Sequence, residues 1–155
     1  MPGTIDARLA ELAITLPDAP APAANYVPFV RTGQTVFISG QVPFDDGKLG
    51  WQGIVGDDLD LDAARAAARA CALGILAQAR AACDGDLDRV ARCVQLQGFV
   101  RCTADFDQQP AVINAASDLM VEVFGDAGRH SRFAVGTNAL PFGVAVEIAA
   151  VFELR

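Results

Sequence analysis

The sequence predicts an α+β domain in which two helices cover one face of a mixed β-sheet. Three observations lead to this fold class. Short runs rich in β-branched and aromatic residues alternate with two long helical patterns. The last run alternates apolar and polar residues with period two, as a half-buried strand does. The length of 155 residues suits one hydrophobic core, so residues 1–155 are expected to form one domain.

The N-terminal segment is predicted to be an addition to that domain. Residues 4–13 have an amphipathic helical pattern, with Thr4 as the N-cap. Pro17, Pro20 and Pro22 follow, and their closely spaced rings exclude a helix. We therefore expect residues 1–21 to form a short helix and an extended, proline-rich arm that is either a tether or packs against the rest.

The periodicity of apolar residues and the residues typical of helix ends predict the other strands and helices. Strands are predicted at 26–31, 34–39, 93–102, 131–137 and 144–154, with a loop at 45–56. A long helix begins after Asp60 or a neighbouring Asp and runs to about Cys83, and a second helix spans about 106–124 and ends at Gly125. The long helix has small residues at three- and four-residue steps, which would let it lie close on the sheet: Ala63, Ala67, Ala70, Gly74, Ala77 and Ala81.

Charge and hydropathy argue against two classes of partner. The net charge is −7 and the only lysine is Lys48, whereas nucleic-acid affinity rests on many cationic side chains. No apolar run reaches the length of a membrane span, and the N-terminus lacks the pattern of a secretion signal. We expect a cytoplasmic protein that binds neither nucleic acid nor membrane.

The cysteines and the histidine give no sign of a metal site. None of the four cysteines forms a C-x-x-C pair, and His130 is the only histidine. Zinc sites draw their ligands from such groups, so no metal is predicted. The cysteines are expected to be small, reduced, apolar residues of the core.

The last two predicted strands contain the residues of greatest chemical interest. Glu147 lies mid-strand among apolar neighbours, where a carboxylate is costly to bury without a partner. Arg132 lies on the preceding strand. If these strands form a hairpin, Arg132 and Glu147 share the sheet face turned away from the helices. They would then be a structural ion pair or a site, and the apolar residues of that face, Ala145, Ala149 and Val151, would need a second subunit to cover them.

A nucleophilic serine beside His130 is a weaker hypothesis. Ser131 is adjacent to His130, but neighbouring residues on a strand point to opposite faces. No G-x-S-x-G motif is present. His130 is therefore expected to be a polar residue at the edge of the cleft or an ordinary surface histidine.

Two separated motifs resemble one family. The C-terminal motif is Arg132-Phe133-Ala134-Val135-Gly136-Thr137-Asn138-Ala139-Leu140-Pro141 followed by Val144-Ala145-Val146-Glu147-Ile148, and the N-terminal motifs are Ala24-Asn25-Tyr26-Val27 and Phe37-Ile38-Ser39-Gly40-Gln41-Val42-Pro43. Together with Asn114 they resemble the Rid (reactive intermediate deaminase) family, also called the YjgF or L-PSP endoribonuclease family. The resemblance extends from about Pro22 to Leu154.

The resemblance implies a chorismate-mutase-like fold, a homotrimer and sites in clefts between subunits. It implies that Arg132 grips a substrate carboxylate, that Glu147 holds or activates a water, and that Tyr26 lines the pocket. Ser39, Asn114, Ala134 and His130 would complete the substrate-binding set. Ala134 stands where the family often has cysteine, and His130 where it commonly has proline or alanine, so the chain is placed in a divergent subgroup.

Three functions remain open from the sequence. The first is cofactor-free hydrolysis of reactive enamines or imines, such as 2-aminoacrylate, to 2-keto acids and ammonia. The second is a non-catalytic module that binds 2-keto acids or similar small anionic metabolites. The third is an RNA-acting protein, prompted by the family's endoribonuclease name and opposed by the acidic composition.

Overall fold

A computed structural model describes residues 3–22 and 24–155 of the chain. Within these residues it contains three α-helices and seven β-strands. The helices are α1 (Thr4–Glu11), α2 (Leu61–Ala82) and α3 (Gln109–Phe124). The strands are β1 (Phe29–Thr32), β2 (Thr35–Gln41), β3 (Phe44–Asp45), β4 (Lys48–Leu49), β5 (Val90–Arg101), β6 (Ser131–Thr137) and β7 (Val146–Leu154).

Five of the strands form one mixed sheet in the order β1-β2-β7-β5-β6. All neighbours in this sheet are antiparallel except β5 and β6, which are parallel. A parallel pair needs a crossover, and α3 supplies it between β5 and β6. β3 and β4 form a separate small hairpin whose turn residues, Asp46 and Gly47, both have positive φ.

The core lies between one face of the sheet and helices α2 and α3. On β7, Val146, Ile148, Ala150, Phe152 and Leu154 are all buried, as the period-two alternation predicts. The α+β class and the two helices on one face of a mixed sheet are thus confirmed, and α1 is a third helix beside them. Three of the four cysteines are buried, and Cys71 donates its thiol proton to the carbonyl of Val146 at 3.5 Å.

The helix ends of α2 and α3 follow the predicted signals. The Asp60 side chain caps α2 by accepting a hydrogen bond from the backbone N–H of Ala63 at 2.8 Å. Pro110 lies in the first turn of α3, and Gly125 ends that helix with a φ of 62°. The small-residue face of α2 was partly misplaced, because Ala67, Gly74 and Ala77 are buried whereas Ala81 is exposed.

The N-terminal helix and arm pack against the domain, which decides between the two predicted roles of the arm in favour of packing. The first two residues of the predicted segment lie outside the described ones. The predicted N-cap is wrong: Gly3 precedes α1, and the Asp88 carboxylate accepts from the backbone N–H groups of Thr4 and Ile5, both at 2.8 Å. The arm is tied to α2 because the Gln78 amide donates to the carbonyl of Pro20 at 2.6 Å.

The face of the sheet opposite the helices is largely uncovered in the isolated chain. We call it the open sheet face, and its exposed apolar side chains include Val30, Phe37, Phe133 and Val135, of which 39–51% of the surface is accessible. Ala149 and Val151 lie on this face, as predicted. Ala145 does not, because it is fully buried and its N–H donates to the carbonyl of Trp51 at 2.8 Å.

Candidate functional site

The Glu147 carboxylate lies at a cavity of about 370 Å³ beside the open sheet face. β7 brings Glu147 to this wall, and the loop before β1 brings Tyr26. The lining is mostly apolar and includes the proline-rich arm, Phe44 and Phe142. Tyr26 and Glu147, two of the predicted catalytic residues, are therefore brought together within one chain.

Gly40 allows the Glu147 side chain to lie against the backbone of β2. A Cβ atom at position 40 would lie 2.5 Å from Glu147 Oε1 and 3.0 Å from its Cδ. Any side chain there would displace the carboxylate from its present position. Gly40 thus sets the position of Glu147, and the register shift between β2 and β7 at Ile38 and Gln41 accompanies this close approach.

The Glu147 carboxylate has no hydrogen-bond or ion-pair partner among residues 3–22 and 24–155. Burial raises the pKa of Glu147 above its ordinary value of 4.5. A carboxyl group with a raised pKa and free oxygens is suited to exchange protons with a bound molecule. This environment is the main electrostatic sign of a site on this side of the sheet.

Ser39 lies beside this cavity with its hydroxyl already in use. The hydroxyl donates to the carbonyl of Val27 at 2.8 Å, and the Ser39 N–H donates to the carbonyl of Pro28 at 3.0 Å. These two bonds hold the segment that follows Tyr26. In the isolated chain Ser39 therefore positions the Tyr26 loop, and its predicted contact with a substrate stays a prediction.

A second cluster surrounds Arg132, on edge strand β6 and on the helix side of the sheet. Arg132 Nη1 donates to Ser117 Oγ at 3.0 Å, and Nη2 donates to the carbonyl of Pro110 at 3.3 Å. Both partners belong to the start and middle of α3. A guanidinium has five N–H groups, so three of them have no partner within the described part of the chain. Arg132 is half-buried and keeps donors available for a ligand.

His130 and Ser117 form a hydrogen-bonded pair in this cluster. His130 Nε2 lies 2.8 Å from Ser117 Oγ, and His130 Nδ1 lies 2.6 Å from the carbonyl oxygen of Gly128. A carbonyl only accepts, so Nδ1 carries the proton and Nε2 of the neutral ring accepts from the Ser117 hydroxyl. Burial, and to a smaller extent the Arg132 charge, lowers the pKa of His130 below 6.5 against the effect of the Gly128 bond.

Asn114 and Ala134 share a helix face and a strand face with residues of this cluster, and the Asn114 side chain makes no hydrogen bond to the described part of the chain. Asn114 is exposed on α3, between Pro110 and Ser117 at the spacing that puts residues on one helix face. Ala134 is two residues after Arg132 on β6, hence on the same face of the sheet, and it packs against the core. The cluster of Asn114, Ser117, His130, Arg132 and Ala134 is called the arginine half-site below, and the Tyr26, Ser39, Gly40 and Glu147 group the glutamate half-site.

The two half-sites are separated within one chain, which corrects the predicted hairpin. β6 pairs with β5 in parallel, and β7 lies on the other side of β5. Arg132 pairs with Leu96, a core residue, whereas Glu147 pairs with Phe99, whose side chain points to the opposite face. Two strand spacings amount to about 10 Å, so Arg132 and Glu147 cannot form the predicted ion pair within one chain.

Sequence reasoning missed two residues of these half-sites, Ser117 and Gly40, and one further arginine, Arg101, on the face of Glu147. Ser117 was hidden inside a helical pattern, and Gly40 was noted only as part of a motif. Arg101, on the same sheet face as Phe99 and Glu147, donates through Nη1 to the carbonyl of Gly143 at 3.1 Å. The alternation of β5 could have placed Arg101 on that face, but no sequence signal pairs Ser117 with His130.

Comparisons with known proteins identify the family to which this arrangement belongs. The family model "YjgF/chorismate_mutase-like, putative endoribonuclease" matches residues 6–153. The chain belongs to this family. The membership confirms the resemblance carried by the Arg132 and Ser39 motifs, and the fold is the YjgF/chorismate-mutase-like one.

Three relatives are similar over nearly the whole chain. Protein TCP17 of Trypanosoma cruzi is 48% identical over 154 residues, which are 99% of this chain and 96% of TCP17. The crystal structure of protein Atu1372 from Agrobacterium tumefaciens is 47% identical, with a TM-score of 0.91 over 97% of this chain and 92% of that one. A Shewanella oneidensis structure described as a putative endoribonuclease is 34% identical, with a TM-score of 0.94 over 98% and 100%.

None of the helices in the described part of the chain is long and apolar enough to cross a bilayer. No group of three or more histidine, cysteine, aspartate or glutamate side chains in residues 3–22 and 24–155 is placed to hold a metal ion.

Proposed function

We propose that the protein is a cofactor-free imine or enamine deaminase whose active site forms between two copies of the chain. The glutamate half-site of one copy would face the arginine half-site of the next. The observation that carries this proposal is the separation of Arg132 and Glu147, each with free polar atoms, on opposite faces of one sheet. Membership of the YjgF family also supports the proposal.

The open sheet face supports the assembly on which this site depends. Phe37, Phe133 and Val135 expose much of their surface there, and soluble chains usually cover such contiguous apolar patches. β6 is the edge strand of the sheet, so its arginine half-site is accessible to a neighbouring copy. We propose a closed, symmetric assembly, a homotrimer, in which each copy offers both half-sites.

In the proposed reaction, Arg132 binds the carboxylate of a small 2-imino acid. Its planar guanidinium matches a carboxylate with two parallel hydrogen bonds, and three of its N–H groups are free for them. The apolar walls of the Glu147 cavity, including Phe142, would enclose the rest of the molecule. A small anionic metabolite is therefore the expected ligand.

Glu147 is proposed to transfer the protons of hydrolysis. The oxygen of water bonds to the imine carbon while Glu147 takes a water proton and the C=N electron pair moves to nitrogen. That nitrogen takes up protons, including the one held by Glu147, until it is an ammonium leaving group. The C–N bond then breaks as the hydroxyl oxygen gives its proton to Glu147 and forms the C=O bond, which releases ammonia and leaves the 2-keto acid. The raised pKa of Glu147 brings the two protonation states closer in free energy near neutral pH.

The test is release of ammonia and keto acid from 2-aminoacrylate generated in situ. Wild-type protein should accelerate release over buffer, and Arg132→Ala and Glu147→Gln should each abolish the acceleration. Arg129→Ala controls for loss of positive charge, because Arg129 is exposed and pairs with Asp126 at 3.5 Å. A folded wild-type protein that does not accelerate ammonia release would overturn the proposal that the protein is a deaminase.

A carboxylate-binding module without turnover is the second candidate. Its support is that the arginine half-site is preorganised within one chain by Ser117 and Pro110. It predicts that wild type and Glu147→Gln bind a 2-keto acid equally, that Arg132→Ala does not, and that no variant releases ammonia. Titration calorimetry with pyruvate, run beside the ammonia assay, separates the two candidates.

A further inference from the structure

Arg132 is held by a chain of hydrogen bonds that extends beyond the residues of the family motif. The chain runs from the carbonyl of Gly128 through the His130 ring and the Ser117 hydroxyl to Arg132 Nη1, with distances of 2.6, 2.8 and 3.0 Å. Each link fixes the next. Because the neutral ring takes the Ser117 proton, the lone pairs of Ser117 Oγ face the guanidinium.

The local fold builds this chain from three elements. Gly128 ends a short helical turn that packs tightly on α3, and a Cβ at position 128 would overlap the backbone carbonyl of Met120. That close contact fixes the Gly128 carbonyl, which anchors the ring. His130 and Arg132 are two residues apart and share a face, so both reach the same side of α3, where Ser117 lies.

We infer that Ser117 and His130 are positioning residues that fix the Arg132 guanidinium for the carboxylate and couple carboxylate binding to proton uptake at His130. This inference rests on the proposed function, since it concerns the same anion site. When His130 gains a proton, Nε2 becomes a donor to Ser117 Oγ. The Ser117 proton is then released to turn toward a bound carboxylate, and a second positive charge lies next to Arg132.

Within residues 3–22 and 24–155, Arg132 is the charged side chain that acts on the His130 ring. On α3, Asp118 and Glu122 interact with arginines of α2, at 4.0 Å from Arg65 and 3.7 Å from Arg69. In the turn before His130, Asp126 pairs with Arg129 at 3.5 Å. A bound anion would therefore be the group that most favours the protonated ring.

The test measures the affinity for pyruvate by titration calorimetry from about pH 5 to pH 8. Wild type should bind more tightly as the pH falls through the His130 transition and should take up protons on binding. His130→Gln keeps an acceptor for the Ser117 hydroxyl but cannot titrate, so it should bind without this pH dependence. Ser117→Ala should bind about tenfold more weakly, and Ser117→Thr should restore the affinity.

The outcomes separate this inference from the proposed function. If wild type binds pyruvate and Arg132→Ala does not, while Ser117→Ala and His130→Gln match the wild-type affinity and pH profile, the positioning role is overturned and the anion site stands. If wild type binds no pyruvate at any pH, the anion site fails and the inference fails with it. Circular dichroism of each variant confirms that the compared proteins are folded.

Discussion

The Cα atom of Gly40 lies so close to Glu147 that a Cβ there would be 2.5 Å from the carboxylate oxygen Oε1. The contact involves the far end of a flexible side chain, which can rotate away, rather than fixed backbone. Substitution at Gly40 therefore tests the position of the carboxylate with little effect on the fold.

Gly40→Ala should impair turnover while keeping the protein folded. Displacing Glu147 costs about 1 kcal/mol or less in stability, the cost of an unfavourable rotamer. A reacting group moved by about 1 Å loses on the order of 100-fold in rate. Steady-state kinetics and urea unfolding would measure both effects.

The matched control is Gly50→Ala, where the added Cβ would meet Asp45 Cβ at an ordinary distance of 3.5 Å. This variant should behave as wild type. Full turnover in Gly40→Ala would show that the carboxylate position does not matter to the reaction.

The ionisation of Glu147 should destabilise the folded chain near neutral pH. Its folded-state pKa is raised, so the stabilising effect of the protonated carboxyl is present below about pH 4.5 and lost as the pH rises through the folded value. Glu147→Gln, which stays neutral, should therefore be more stable than wild type at pH 7, and this advantage should shrink toward pH 4.

Urea unfolding at the two pH values measures this difference. Glu153→Gln is the control, because Glu153 lies on the same face of β7 but its side chain is exposed. A Glu147→Gln protein less stable than wild type at pH 7 would mean that the carboxylate is stabilised by a partner.

A charged side chain introduced on the open sheet face should dissociate the proposed oligomer. Phe133 is 39% exposed and packs edge-on against Phe99, with ring centroids 5.5 Å apart. Phe133→Asp leaves the helix-side core intact but places a charge where a neighbouring copy would have to desolvate it. Light scattering after gel filtration should show a shift from oligomer to monomer, and turnover should fall with it.

Ala66→Asp, on the exposed surface of α2, controls for the added charge and should keep the oligomer. A wild-type protein that is already monomeric would remove the structural basis for a shared site.

Sequence patterns predicted which face of a strand or helix is buried better than they predicted which strands are adjacent in the sheet. The alternation on β7 fixed which residues are buried, and Pro110 and Gly125 marked the ends of α3 because backbone geometry restricts both positions. The pairing of β6 was wrong because nearness in the chain favoured a hairpin with β7. The helix between β5 and β6 makes them a parallel pair instead.

The candidate site was predictable only as a set of residues. Strand alternation singled out Arg132 and Glu147, and motif resemblance added Tyr26, but period and spacing could not show that the sheet separates them into two half-sites. The Ser117–His130 contact depends on how α3 crosses β6, which is a property of tertiary packing. The sequence offered only the adjacent Ser131 as a hydroxyl for His130, and strand alternation argued against that pair. The Ser131 hydroxyl donates to the carbonyl of Val94 at 3.2 Å.

Mixing two inactive variants tests most directly whether the site is shared between copies. Arg132→Ala chains keep the glutamate half-site, and Glu147→Gln chains keep the arginine half-site. When the two variants are refolded together in equal amounts, random assembly should give about one intact site in four. The mixture should then recover about a quarter of wild-type ammonia release. No recovery from folded, mixed oligomers would contradict the account, because it would mean that Arg132 and Glu147 must belong to the same chain.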